Sequence, residues 1–392
     1  MKLNKLFVSA LAALAFVACS KDGETGAEGP ESGQGMSVTI SLRNSGSAAA
    51  QAAGKGTRAA ETGFTQDAGT AIELKSITVF FADADGNIVE TGQFDEAQLT
   101  AQKAVFHGIN PSATQAIAVA NYGDLLPSAT PATITALKAT ELTLADYQSK
   151  KLQTEVPLIS VAANLVPDEA ANHPADVDHG DDKIAWYKVS LDLVPVLSRI
   201  EIGGNLTITS EMAEGKFVYS AFTMANVGLN GLYEACKLGG GESGERVYTN
   251  ANATGFPATG DTSPTPTWMY DALPNTDLIA ASGNSASMEK VYAYNVMPGD
   301  KPEITLQFNS TPMQDLPEGA PVPVSPKAYI KIVNFAEGGS MTLAPGKIYK
   351  IEDISFNQDK VTMLDNQVLC VEVSVTVQNW EILDVENPEF GD

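Results

Sequence analysis

An all-β chain arranged as two tandem β-sandwich domains is the fold class that the sequence predicts. Three observations predict it. Short runs in which apolar residues alternate with polar ones recur along the chain, at the two-residue period of strands with one buried face. Clusters of Gly, Pro, Asn, Asp and Ser separate these runs. Only one stretch of the first half, residues 131–152, has helical spacing, and it predicts a short surface helix with Ile134, Leu137, Leu142 and Tyr147 as its buried stripe. Many strands, turn-rich connections and little helix are the signature of packed sheets.

The chain opens with Lys2 and Lys5, then an apolar or small-residue run over 6–18 that stops at Cys19. This run is too short for a bilayer span, which takes about 20 residues, and its charged-then-apolar order is that of a secretion signal. Phe16-Val17-Ala18-Cys19 resembles a bacterial lipobox, with Phe16 where leucine is usual, so residues 1–18 are expected to be a lipoprotein signal peptide and Cys19 the acylated residue. Ser20, Lys21, Asp22, Gly23 and Glu24 then look like the surface-export tag of Bacteroides-type lipoproteins. Residues 23–35 are rich in Gly, Glu and Ser, a tether composition. Met36, Val38, Ile40 and Leu42 alternate with polar residues and predict a strand. Because one strand is unstable alone, it must pair with later parts of the chain. Residues 44–57 read as a second linker, ending at Arg58 before Ala59, a favourable site for a trypsin-like protease.

The body is expected to divide into domains at 59–195 and 196–392, with Pro195 as the hinge because proline cannot donate to a sheet ladder. In the first, strands are predicted at 72–81, 88–94, 104–109, 115–121, 156–161 and 184–194, the first two joined by a tight hairpin through Asp85-Gly86. The second holds strands at 196–202, 217–224, 290–294, 304–308, 328–333, 348–356 and 368–377, with a loop insert over 239–274. Within 368–377, Val371, Val373, Val375 and Val377 alternate as in one strand.

Of 392 residues, 44% are hydrophobic, a normal share for a globular protein. Asp and Glu number 48 against 24 Lys and Arg, a net charge of −24 that opposes nucleic-acid phosphates and anionic lipid surfaces. Beyond Cys19, the remaining cysteines Cys236 and Cys370 have no metal-type spacing and are either buried free thiols or a bridge.

Taken in order along one acidic lipoprotein, several pieces together resemble the fimbrillin family, the major and minor pilins of type V pili in Bacteroidales. They are the lipoprotein signal, the strand-linker-arginine segment before Ala59, the opening strand at 72–81, Val196-Leu197-Ser198-Arg199-Ile200-Glu201-Ile202, Leu343-Ala344-Pro345-Gly346-Lys347-Ile348-Tyr349-Lys350-Ile351, and Val375-Thr376-Val377-Gln378-Asn379-Trp380. The resemblance covers the whole precursor. It implies transthyretin-like sandwiches and a structural subunit of a cell-surface fimbrium that supports adhesion. It further implies an outer-membrane lipoprotein precursor cut by an arginine-specific protease between Arg58 and Ala59. Met36, Val38, Ile40 and Leu42 would then leave with the lipid, and a C-terminal strand of another pilin subunit, with Val371, Val373, Val375 and Val377 as candidates, would fill the vacated groove. The same valines also fit an ordinary strand of the second domain. Stalk, tip and anchor roles stay open.

No cofactor or metal is expected. Asp83, Asp85 and Asn87 open like a calcium loop, but Ile88 and Phe94 stand where it needs glycine and glutamate, so a hairpin turn is predicted. His173, Asp176, Asp178, His179, Asp181 and Asp182 have the chemistry to hold a divalent ion, but no regular element fixes their spacing and they read as a solvated loop before a strand. The third histidine, His107, sits in a strand, and no nucleophile elbow, phosphate loop or zinc-protease motif occurs, so no enzyme is predicted. An alternative is a non-polymerising surface lipoprotein that binds glycans through Trp268, with Trp186 and Trp380 expected in the core.

Overall fold

Alternation in the sequence becomes alternation of burial in the computed structural model, which describes residues 35–44, 71–127, 129–150, 154–168, 185–209, 219–248, 269–272, 280–281, 285–287, 291–312, 327–335, 342–357, 369–373 and 375–380. The first elements are β1 (Met36–Asn44), β2 (Ile77–Ala82), β3 (Ile88–Gln93), α1 (Glu96–Ala101), β4 (Lys103–Ile109) and β5 (Gln115–Ala120). Next come α2 (Ile134–Lys138), β6 (Glu141–Thr143), α3 (Leu144–Lys150), β7 (Leu158–Ser160), β8 (Ala163–Asn164), β9 (Val166–Pro167) and β10 (Trp186–Pro195). After Pro195 follow β11 (Ser198–Thr209), β12 (Tyr219–Asn230), β13 (Leu232–Lys237), β14 (Glu242–Val247), β15 (Met269–Ala272), β16 (Ala280–Ala281), β17 (Ser285–Ser287) and β18 (Tyr292–Val296). The last are β19 (Gly299–Asp300), β20 (Glu303–Pro312), β21 (Lys327–Phe335), β22 (Thr342–Leu343), β23 (Lys347–Asn357), β24 (Leu369–Val373) and β25 (Thr376–Asn379). The protein is mainly β, as predicted.

Strands before and after Pro195 join different large sheets. The first sheet runs β3-β2-β5-β7-β10-β1-β4, with β8 beside β5 and β9 beside β10. It folds over on itself: Phe106 of β4 meets Phe81 of β2 at 5.6 Å between ring centroids and Phe94 at 5.9 Å. After Pro195, one sheet runs β17-β11-β23-β25 with β18 beside β11, and another β15-β12-β20-β21-β24 with β16 beside β12. Phe308 of β20 and Phe356 of β23, 5.5 Å apart, join these two sheets face to face.

Contacts also cross the Pro195 division. β6 pairs with β13 in a small sheet, and the Asn295 side chain of β18 donates to the Tyr147 hydroxyl of α3 at 2.7 Å. Behind Asn295 lies a fully buried cation. The Nε of Arg199 donates to Glu201 at 2.7 Å, its Nη1 to Asn295 at 3.4 Å, and its guanidinium stacks 5.5 Å from the Trp380 ring. A buried charge is tolerable only when paired in this way.

Four local expectations need correction, the first being the loop insert over 239–274, which contains β14 paired with β13 and β15 paired with β12. The predicted helix over 131–152 is two short helices, α2 and α3, with β6 between them, although all four stripe residues are buried. The strand expected from residue 72 joins its ladder only at Ile77, because the buried side chain of Asn121 takes the Lys75 N–H at 2.8 Å and donates to the Glu73 carbonyl at 2.7 Å. Between β2 and β3 only Gly86 has positive φ, so the connection is not the tight two-residue type. Asp83 organises it instead by accepting the N–H groups of Asp85 and Asn87.

Candidate functional site

β1 is a strand for a simple reason: Met36, Val38, Ile40 and Leu42 line one side and Ser37, Thr39 and Ser41 the other. All four apolar side chains are buried, with Val38 and Ile40 fully so. At about 1.5–3 kcal/mol for each such side chain, they hold the strand by at most about 6–12 kcal/mol. Gly35 enters the sheet so close to Gly108 that a Cβ there would lie 2.5 Å from its Cα. Ser37 meets the exposed His107 through a 2.9 Å hydroxyl–Nδ1 hydrogen bond, and the His107 ring stands edge-on to the buried Trp186 at 5.7 Å.

Position in the sheet is what sets β1 apart. It runs parallel to β10, from Ser37 opposite Trp186 to Asn44 opposite Leu193, and antiparallel to β4, from Met36 opposite Ile109 to Ser41 opposite Lys103. Among the described residues, β4 has no ladder partner except β1. Taking β1 away would therefore open a slot bounded by two unpaired strand edges, with an apolar floor.

On the solvent side of β1 lies a cleft of about 700 Å³ lined by Thr39, Ser41, Lys103, Lys188, Ser190 and Asp168, among others. Lys188 is paired with Asp168 at 2.7 Å, whereas Lys103 has no ion-pair partner among the described residues.

The valines at 371–377 do not lie on one strand. Val371 and the buried Val373 belong to β24, which runs parallel to β21, while the exposed Val377 belongs to β25, antiparallel to β23, with the half-buried Val375 between them. Among the described residues each of these strands is the last in its sheet, held by a ladder on one side only. Trp380, just after β25, is buried against Arg199.

Cys19, Arg58 and Ala59 lie outside the described residues, as do Trp268 and the cluster from His173 to Asp182. Cys236 is a free, buried thiol, and burial pushes its pKa up to about 12. Among the described residues there is no group of His, Cys, Asp and Glu able to hold a metal ion. The lysines of the cleft and the sole dependence of β4 on β1 carry no motif. Only the pairing of distant strands reveals them.

No protein-family model and no curated protein matches the chain. Solved structures do. A candidate cell adhesion protein from Bacteroides eggerthii matches with a TM-score of 0.54 and 15% identity, over 91% of this chain and 99% of that one. The fimbrilin of Porphyromonas gingivalis W83 matches with a TM-score of 0.51 and 13% identity, over 90% of this chain and 99% of that one. The chain therefore has the fimbrillin fold, that of these solved proteins of Bacteroidales.

Proposed function

We propose that this protein is a structural, non-enzymatic subunit of a cell-surface fimbrium, built from two tandem sandwich domains that meet at Pro195. In this reading it is exported as a lipoprotein precursor anchored in the outer membrane through Cys19, and an arginine-specific protease cuts between Arg58 and Ala59. β1 then leaves with the lipid, and the C-terminal strand of another subunit takes its place. The observation that carries this reading is the isolation of β4 without β1. A strand whose removal leaves two edges and an apolar slot is one whose place another strand will take. The candidate donor segment supports it too, since among the described residues β24 and β25 each give up one ladder on leaving. Head-to-tail donation that does not close on itself grows a fibre. Trp186 and Trp380 are buried, as expected of core residues, and Trp268, on which the glycan-binding alternative rests, lies outside the described residues.

The test treats the precursor and its Arg58→Ala variant with an arginine-specific protease. The parent should yield a product beginning at Ala59 and a ladder of oligomers that survives mild denaturant, and the variant should stay monomeric. Equal polymerisation of the variant would contradict the reading.

A further inference from the structure

β1 offers the cleft only hydroxyls. Across the ladders, Thr39 lies opposite Lys188 and Ser41 opposite Lys103. Lys188 already has the carboxylate of Asp168, so among the described residues the positive charge left unmatched in the cleft is that of Lys103. A replacement strand gains most if it brings aliphatic residues to the positions of Val38, Ile40 and Leu42 and an acid to that of Ser41. Residues 369–373 read Leu-Cys-Val-Glu-Val, which is that pattern.

We infer that the strand donated by a second copy of this chain docks in one register, with Leu369, Val371 and Val373 at the positions of Val38, Ile40 and Leu42, and Glu372 facing Lys103. The register rests on the strand exchange proposed above and on the incoming strand keeping the direction of β1. Sliding by two residues would put Val371 at Val38 and Glu372 at Thr39, beside Lys188 and the carboxylate of Asp168. That slide brings two like charges together and leaves Lys103 unmatched, so charge selects between registers that aliphatic packing alone does not distinguish. Lys103 is then a specificity-determining residue of the slot and Glu372 its counterpart on the donor.

The experiment uses the full precursor cut at Arg58 and a labelled peptide of residues 366–380 with serine in place of Cys370. Lys103→Glu in the protein or Glu372→Lys in the peptide should each weaken peptide capture by about fivefold, the scale of an exposed ion pair, and the two together should restore it. Lys188→Glu should not be rescued by Glu372→Lys. Urea unfolding of the uncut Lys103→Glu precursor, with β1 in place, shows whether that variant folds as the parent does. Capture that is indifferent to Lys103, or rescue at Lys188 instead, would overturn the register while leaving strand exchange standing. No capture by the cut parent protein would overturn both.

Discussion

Ile40 of β1 and Ala104 of β4 are backbone partners, both buried, and on its other side Ile40 faces Val189 of β10. The small Ala104 leaves the space beneath the sheet to the larger aliphatic chain of Ile40. Truncating it with Ile40→Ala should lower the stability of the precursor by about 2–5 kcal/mol, read as an earlier urea midpoint at unchanged slope. Because the same change loosens β1, the cut variant should also polymerise faster than the cut parent. Unchanged stability would mean that β1 is not held by its core face.

Glu201 is the carboxylate beside the fully buried Arg199, with Lys350 at 3.9 Å from its other oxygen. Glu201→Ala leaves a guanidinium in the core without its anion and should cost about 3–5 kcal/mol. Glu201→Gln keeps an acceptor for Nε and should cost less. The comparison is made by chemical unfolding at neutral pH.

Thr143 and Asp146 form a reciprocal cap at the start of α3: the Thr143 hydroxyl donates to the carboxylate at 2.7 Å, and the Asp146 N–H donates to Thr143 Oγ1 at 3.0 Å. These contacts, first the hydroxyl and then Lys150, hold the Asp146 carboxyl below its ordinary value of 3.8. The stabilisation is thus complete above that value and is lost as the pH falls through the lower, folded-state value. Thr143→Ala should cost about 1 kcal/mol at pH 7, with the gap to the parent narrowing in strong acid. Unfolding curves across that range check both.

Cys236, with its thiol pushed up to about 12 by burial, should resist a maleimide at pH 8 in the folded protein and react once it is unfolded. Peptide mapping separates it from Cys370. Labelling of native Cys236 at the rate of an exposed thiol would contradict its place in β13.

What the sequence shows plainly is local. The alternation of Met36, Val38, Ile40 and Leu42 foretells both a strand and its buried face. Ile134, Leu137, Leu142 and Tyr147 were legible as core, but not as a helix–strand–helix, because Glu141-Leu142-Thr143 becomes a strand only by pairing with the distant β13. The start of α1 carries its own signal in the sequence, the capping box of Asp95 and Gln98, but six residues are too few to show a helical period. The even alternation of residues 371–377 conceals the change of sheet between β24 and β25, since a period of two looks the same in either sheet. Nor can periodicity show that β10 runs parallel to β1 or that β4 depends on it. Those are relations between segments far apart in the chain, set by the folded core.

The central claim, that a strand from another subunit replaces β1, is tested most directly by mass spectrometry of the assembled oligomers. The account predicts subunits that begin at Ala59, with the peptide carrying Met36 to Arg43 absent from the assembly. Oligomers that retain that peptide at one copy per subunit would contradict it.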